Sequence, residues 1–183
     1  MMISLLINTA CAYHFGAVKR TIPGSYDRVA VPVFKNNTSE TAVETYFTKS
    51  MIEEIERGHI AHITGKENAQ VVIEGSLNSV QYLAGAQVKP EDKGFESLPR
   101  GTVLTKEYRI LVTGKIDVRR VSDQKIIWTG GFSGERRYPA PLVTNPAFLT
   151  VNPLYNHSSR HQNIEVMARD LMAESYSRLT ENF

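Results

Sequence analysis

The side chains best suited to chemistry are few and scattered. His157 and His161 stand four apart, a spacing that lets two imidazoles on one helix face share a zinc ion. They lack the intervening Glu of the metalloprotease motif and flank a loop-to-helix junction, so the sequence favours a pair of surface histidines. His59 and His62 lie three apart in a strand-like segment and point to opposite faces, so they cannot easily share an ion. Glu53, Glu54 and Glu56 fall on a helix and form a solvated face. Arg119-Arg120 and Arg136-Arg137 sit at the ends of two strands, as solvated strand ends or as an anion site. Cys11 is the only cysteine, with no partner for an internal disulfide and no Cys or His at metal-ligand spacing.

No P-loop, nucleophile elbow or dinucleotide-binding glycine pattern lies between a strand and a helix. The glycines of TGGFSGE fall inside a strand pattern, where a bulge or a close backbone approach explains them better. The sequence therefore points to no enzyme and to no metal or other cofactor.

The position of Cys11 is informative. MMISLLINTA precedes it and reads as a signal-peptide remnant, residues 1–10, rather than as an N-terminal strand. Thr9 and Ala10 suit the small positions before a lipidated cysteine, whereas Asn8 stands where an apolar residue is usual. The apolar run from Met1 to Ile7 is short and has no basic residue ahead of it. The expectation is a lipid anchor on Cys11. Residues 11–183 then form a single domain, since 42% hydrophobic and 22% charged residues describe a foldable globular chain. No run approaches the roughly 18 apolar residues of a membrane-spanning helix. A net charge of +2, with both signs interleaved, argues against a nucleic-acid partner.

These candidates need elements to position them. RVAVPVF (28–34) is a short strand, with Pro32 better placed on an edge. Thr38 or Ser39 can cap a helix over Glu40–Arg57, where Val43, Phe47, Met51 and Ile55 make one apolar stripe that Gly58 ends. HIAHIT (59–64) reads as a short strand, and VVIEGSLNSVQYL (71–83) as a longer one. KEYRILVTGKIDVRRV (106–121) alternates cleanly, with Tyr108, Ile110, Val112, Ile116 and Val118 on one face. Ser122-Asp123-Gln124 turns it into KIIWTGGFSGERRY (125–138), giving an antiparallel hairpin. A second helix runs from about Gln162 to Leu179, with Ile164, Met167, Ala168, Leu171, Met172 and Tyr176 in its stripe. The expected class is α+β: a two-layer sandwich with two amphipathic helices packed on one face of a mainly antiparallel four- to five-stranded sheet. The gaps 84–105 and 139–161 are long for structureless loops. The second contains Phe148, Leu149, Leu154 and Tyr155, which either tuck onto the domain or face a partner.

In this order the segments CAYHFG, VAVPVFKNNTSE, TKEYRILVTGKIDV, IIWTGGFSGERRYP and the C-terminal amphipathic helix resemble the LptE family of outer-membrane lipoproteins. The resemblance implies a non-enzymatic lipoprotein on the periplasmic face of the outer membrane. Such a protein plugs an LptD-type β-barrel, binds lipopolysaccharide and helps insert it into the outer leaflet. Lipid A phosphates would then meet basic side chains, with Arg100, Lys106 and Arg109 as first candidates and Arg136 and Arg137 as second. VAVPVF followed by a helix also resembles the opening of curli-export-type lipoproteins, which would make the chain a homo-oligomeric secretion adaptor.

Overall fold

The computed structural model describes residues 20–181 apart from 97, 141, 146, 147 and 152, with backbone alone over 142–153. The expected leader and Cys11 lie outside the described residues. The chain opens with β1 (Arg28–Ala30) and β2 (Lys35–Asn36), followed by α1 (Val43–Gly58) and β3 (His62–Ile63). A long strand β4 (Val71–Ala84) leads to the short pair β5 (Gln87–Val88) and β6 (Leu104–Thr105). Then come β7 (Glu107–Arg120), β8 (Ile126–Pro139), β9 (Leu142–Asn145), β10 (Phe148–Val151) and α2 (Pro153–Thr180). Among the described residues no helix is long and apolar enough to cross a membrane.

The fold is α+β, as expected, with one main sheet of six strands rather than four or five. The order is β3-β1-β4-β7-β8, and β2 pairs with β4 beyond the end of β1. The long strands β4, β7 and β8 are antiparallel, whereas β1, β2 and β3 join in parallel. The expected strand 28–34 is cut to Arg28–Ala30, with Pro32 in the link to β2, and β1 lies inside the sheet rather than at its edge.

Alternation in β7 does what it predicts: Ile110, Val112, Ile116 and Val118 are buried, while Arg109, Thr113, Lys115, Asp117 and Arg119 face outward. The inner face joins Ile73 and Leu77 of β4 and Phe132 of β8. Both helices cover this face: Val43, Phe47, Met51 and Ile55 come from α1, and Ile164, Met167, Ala168, Leu171 and Met172 from α2. Phe47 stacks on Phe132 at 5.6 Å between ring centres, fastening α1 to the sheet.

The helix ends differ from the expectation. Thr38 and Ser39 do not cap α1; Thr38 is drawn into a turn by Asn36, whose Oδ1 accepts from both its amide (2.9 Å) and its hydroxyl (2.8 Å). Ala42, in the left-handed region at φ 64°, occupies the N-cap without a side-chain bond, which leaves Glu40 ahead of the helix. At the other end His59 takes the left-handed C-cap conformation (φ 48°), and Gly58 is still helical. Gly58 is required for another reason: a Cβ there would run into the Tyr176 hydroxyl of α2.

The two long gaps are structured. In the first, β5 and β6 pair over a small core of Val88, Leu98 and Leu104, with Phe95 against it. In the second, β9 and β10 form a hairpin and α2 begins at Pro153, about two turns before the expected start. Leu154 and Tyr155, at the start of α2, are exposed.

Candidate functional site

The basic residues singled out from sequence fall into three places. Arg109 and Arg137 are direct cross-strand partners on the outer face of β7 and β8. Both reach Glu135, at 3.3 and 3.4 Å, so two guanidinium groups share one carboxylate. Arg136 projects to the helix side, where its Nε donates to Asn163 Oδ1 at 2.8 Å and its Nη1 lies 4.0 Å from Asp170. Lys106 precedes β7 and holds its ammonium 5.3 Å from the centre of the Phe95 ring. Arg100 is exposed in a turn between Leu98 and Leu104 of the small core. The structure thus joins Arg109 to Arg137, puts Arg136 on the opposite side of the sheet, and leaves Lys106 and Arg100 on the adjoining segment.

A ladder of exchanged charges continues along the outer face, beside the apolar Leu83 and Leu111. Arg119 meets Glu74 at 3.0 Å, and Lys115 meets Asp117 at 2.9 Å. Burial alone would raise the Asp117 carboxyl, but hydrogen bonds from Thr129 and Lys115, with the charges of Lys115 and Arg119, hold it below the usual range. Such exposed pairs contribute little stability singly. Their main effect is to keep this face polar.

A second cluster lies under the N-terminal half of α2, and the sequence did not assemble it. Glu40, in the turn before α1, has a side chain only 10% exposed. Its Oε1 lies 3.2 Å from Arg160 Nη2 and 3.0 Å from His161 Nε2. Arg160 also lies over the Tyr82 ring of β4, 4.3 Å from its centre. Burial, and then the Glu40 carboxylate beside it, push the Tyr82 phenol above its ordinary range. His161 Nδ1 is 3.5 Å from the Tyr46 hydroxyl, and the His157 ring centre is 4.5 Å from that of His161. One turn earlier on α2, Asn156 accepts a 3.0 Å hydrogen bond from the Tyr138 hydroxyl.

The sequence did show the four-residue histidine spacing. It gave no sign of Glu40 as their neighbour, because α1, β4 and most of α2 must fold before the pieces meet. Reading Glu40 as the first residue of α1 also concealed its inward turn. Correctly placed, the histidines lie within a helix and not at a loop-to-helix junction.

The architecture, two helices on one face of a mixed sheet, recurs in bacterial proteins of known structure. PelC of Paraburkholderia phytofirmans, solved as a dodecamer, is 15% identical, with a TM-score of 0.54 over 86% of this chain and 91% of that one. A homologue of a neuraminyllactose-binding hemagglutinin from Helicobacter pylori is 12% identical, with a TM-score of 0.55 over 92% of this chain and 90% of that one. Bacterial lipoproteins are among the similar structures, as in a minor lipoprotein of Acinetobacter baumannii (11% identical, TM-score 0.47, 85% and 93% covered). At these identities the likeness is one of fold. No family model matches the chain, and no curated protein matches it by sequence.

Proposed function

We propose that this chain is a non-enzymatic outer-membrane lipoprotein, anchored through Cys11, that binds lipopolysaccharide and plugs an LptD-type β-barrel. The observation that carries the reading is the outer face of the three long strands, which bears charges from Glu74 and Arg119 at one end to Arg109 and Arg137 at the other, with Leu83 and Leu111 among them. Such a surface suits the polar lumen of a large barrel, whereas the apolar face is consumed by the helices. Arg109 and Arg137 hold two positive charges against the single carboxylate of Glu135, leaving donors for a lipid A phosphate. Lys106 and Arg100 extend the basic surface onto the neighbouring segment; Arg136, bound to Asn163 behind the sheet, has a separate role.

Replacing Arg109 and Arg137 together with Glu tests the ligand site. Lipopolysaccharide affinity should fall at least about tenfold, or about 1.4 kcal/mol, with little change in melting temperature. Wild-type binding should weaken as salt rises. Unchanged affinity in the folded variant would refute the site.

A second reading, a homo-oligomeric secretion adaptor, is favoured by one observation: PelC has the same fold and is a dodecamer. Affinity purification from detergent-solubilised envelopes separates the two. A one-to-one complex with a barrel supports the first, and a ring of this chain alone supports the second.

A further inference from the structure

We propose that Glu40, His157 and His161 form a binding site for a divalent transition metal, with zinc as the fitting ion; this is independent of the function proposed above. The ligand-capable atoms of the three residues all lie within 4.8 Å of one another. Ligands at about 2.0–2.2 Å around a tetrahedral zinc stand about 3.4 Å apart, so small side-chain rotations bring these three onto one ion. One carboxylate and two imidazoles also match zinc in chemical type and leave a fourth position open.

Three features of the surroundings favour a site over a structural contact. His161 Nε2 is buried and lies 3.0 Å from Glu40 Oε1, yet it has no hydrogen-bond partner of acceptable geometry. The distance is that of a hydrogen bond but the direction is not, so the ring nitrogen is left available. Buried Arg160 Nε beside it is likewise without a well-directed partner. Such groups are uncommon in a settled interior.

On the far side of the ring, the Tyr46 hydroxyl stands 3.5 Å from His161 Nδ1. A proton held there and shared with Tyr46 would keep Nε2 as the nitrogen facing the ion, the usual outer support of a metal-binding imidazole. His157 is exposed and so gives the ion a route from solvent. The two histidines are one turn apart on α2, while Glu40 is fixed in the turn before α1, where Asn36 Nδ2 donates to its carbonyl at 2.7 Å. A bound ion would therefore tie the start of α1 to α2.

Arg160 is the opposing element. Its guanidinium now neutralises Glu40 at 3.2 Å and would have to yield the carboxylate to an incoming cation. This gives the proposal an outcome that a merely structural cluster would not produce: removing a conserving ion-pair partner should strengthen ligand binding.

The experiment is titration of the chelator-stripped full chain with zinc alone, read by calorimetry and equilibrium dialysis, with thermal melting in parallel. Wild type should bind one ion per chain and melt higher with zinc. His157→Ala and His161→Ala should each weaken binding at least about tenfold, since even outer supports of a metal cost that much. Arg160→Gln should bind more tightly than wild type. His157 is exposed, so His157→Ala should melt like wild type without metal, and it decides the matter if His161→Ala does not fold. Absence of a zinc isotherm in wild type, or equal affinity in His157→Ala, would overturn the proposal.

Discussion

Shortening Leu171 to alanine probes how the C-terminal helix is held. Leu171 is 7% exposed and packs over Gly134 of β8. The change removes three carbons, worth about 2.4 kcal/mol at roughly 0.8 kcal/mol each. The glycine opposite has no side chain to move into the space, so part of a cavity remains, within the 2–5 kcal/mol range of such truncations. The expected loss is about 3 kcal/mol, measured by urea unfolding with the slope unchanged. The same contact predicts a coupling. A Cβ built on Gly134 lies 3.1–3.4 Å from the Leu171 side chain, too close for comfort, and would gain room once Leu171 is shortened. Gly134→Ala should therefore be at least about 0.5 kcal/mol more favourable in the Leu171→Ala background than in wild type. A loss below about 0.5 kcal/mol for Leu171→Ala, typical of surface positions, would mean that the stripe of α2 faces a partner instead of the sheet. Strict additivity would refute the contact with Gly134.

Two further predictions concern the anchor and the outer face. Mass spectrometry of mature protein from membranes should show cleavage before Cys11 and acylation there; at about 0.8 kcal/mol per buried methylene, several chains make a lasting anchor, and an unmodified thiol after Met1 would end that reading. Because the folded Asp117 carboxyl is held below its unfolded value, its stabilising effect is full above the ordinary aspartate range and is lost as pH falls through the lowered value. The gap in melting temperature between wild type and Asp117→Asn should accordingly close below about pH 4, and a gap constant from neutral to strongly acidic pH would contradict the charge ladder.

Much of the architecture was legible because it rests on short periods. The two-residue period of β7 and the helical stripe from Ile164 to Leu179 each declare an inner face locally. What escaped depends on local competition or on distant residues. The start of α2 is hidden because residues 153–161 are mostly polar, with Leu154 and Tyr155 exposed instead of forming a buried stripe, although Pro153 in the first turn is a usable signal. Thr38 looked like a cap but is taken by Asn36, and Gly58 looked like a helix stop but is a docking place for Tyr176. Of the basic residues, spacing alone suggested Arg136 and Arg137 as a pair. Strand alternation divides them, and the antiparallel register supplies Arg109 as the real neighbour of Arg137.

The stacking of Phe47 on Phe132, and the pairing of both helices over one sheet face, bear on how the chain is made. A ribosome releases α1 early, yet much of the surface that covers its apolar stripe comes from α2, the last element of the domain, and Phe132 of β8 stacks on its Phe47. β1 likewise waits for both of its neighbours, since β3 and β4 follow it. The N-terminal half therefore has no finished core to close on during synthesis. Completing that core requires residues at the far end of the chain, an arrangement rich in contacts between distant positions. For the exported lipoprotein proposed above, such lateness would suit passage through a membrane before folding.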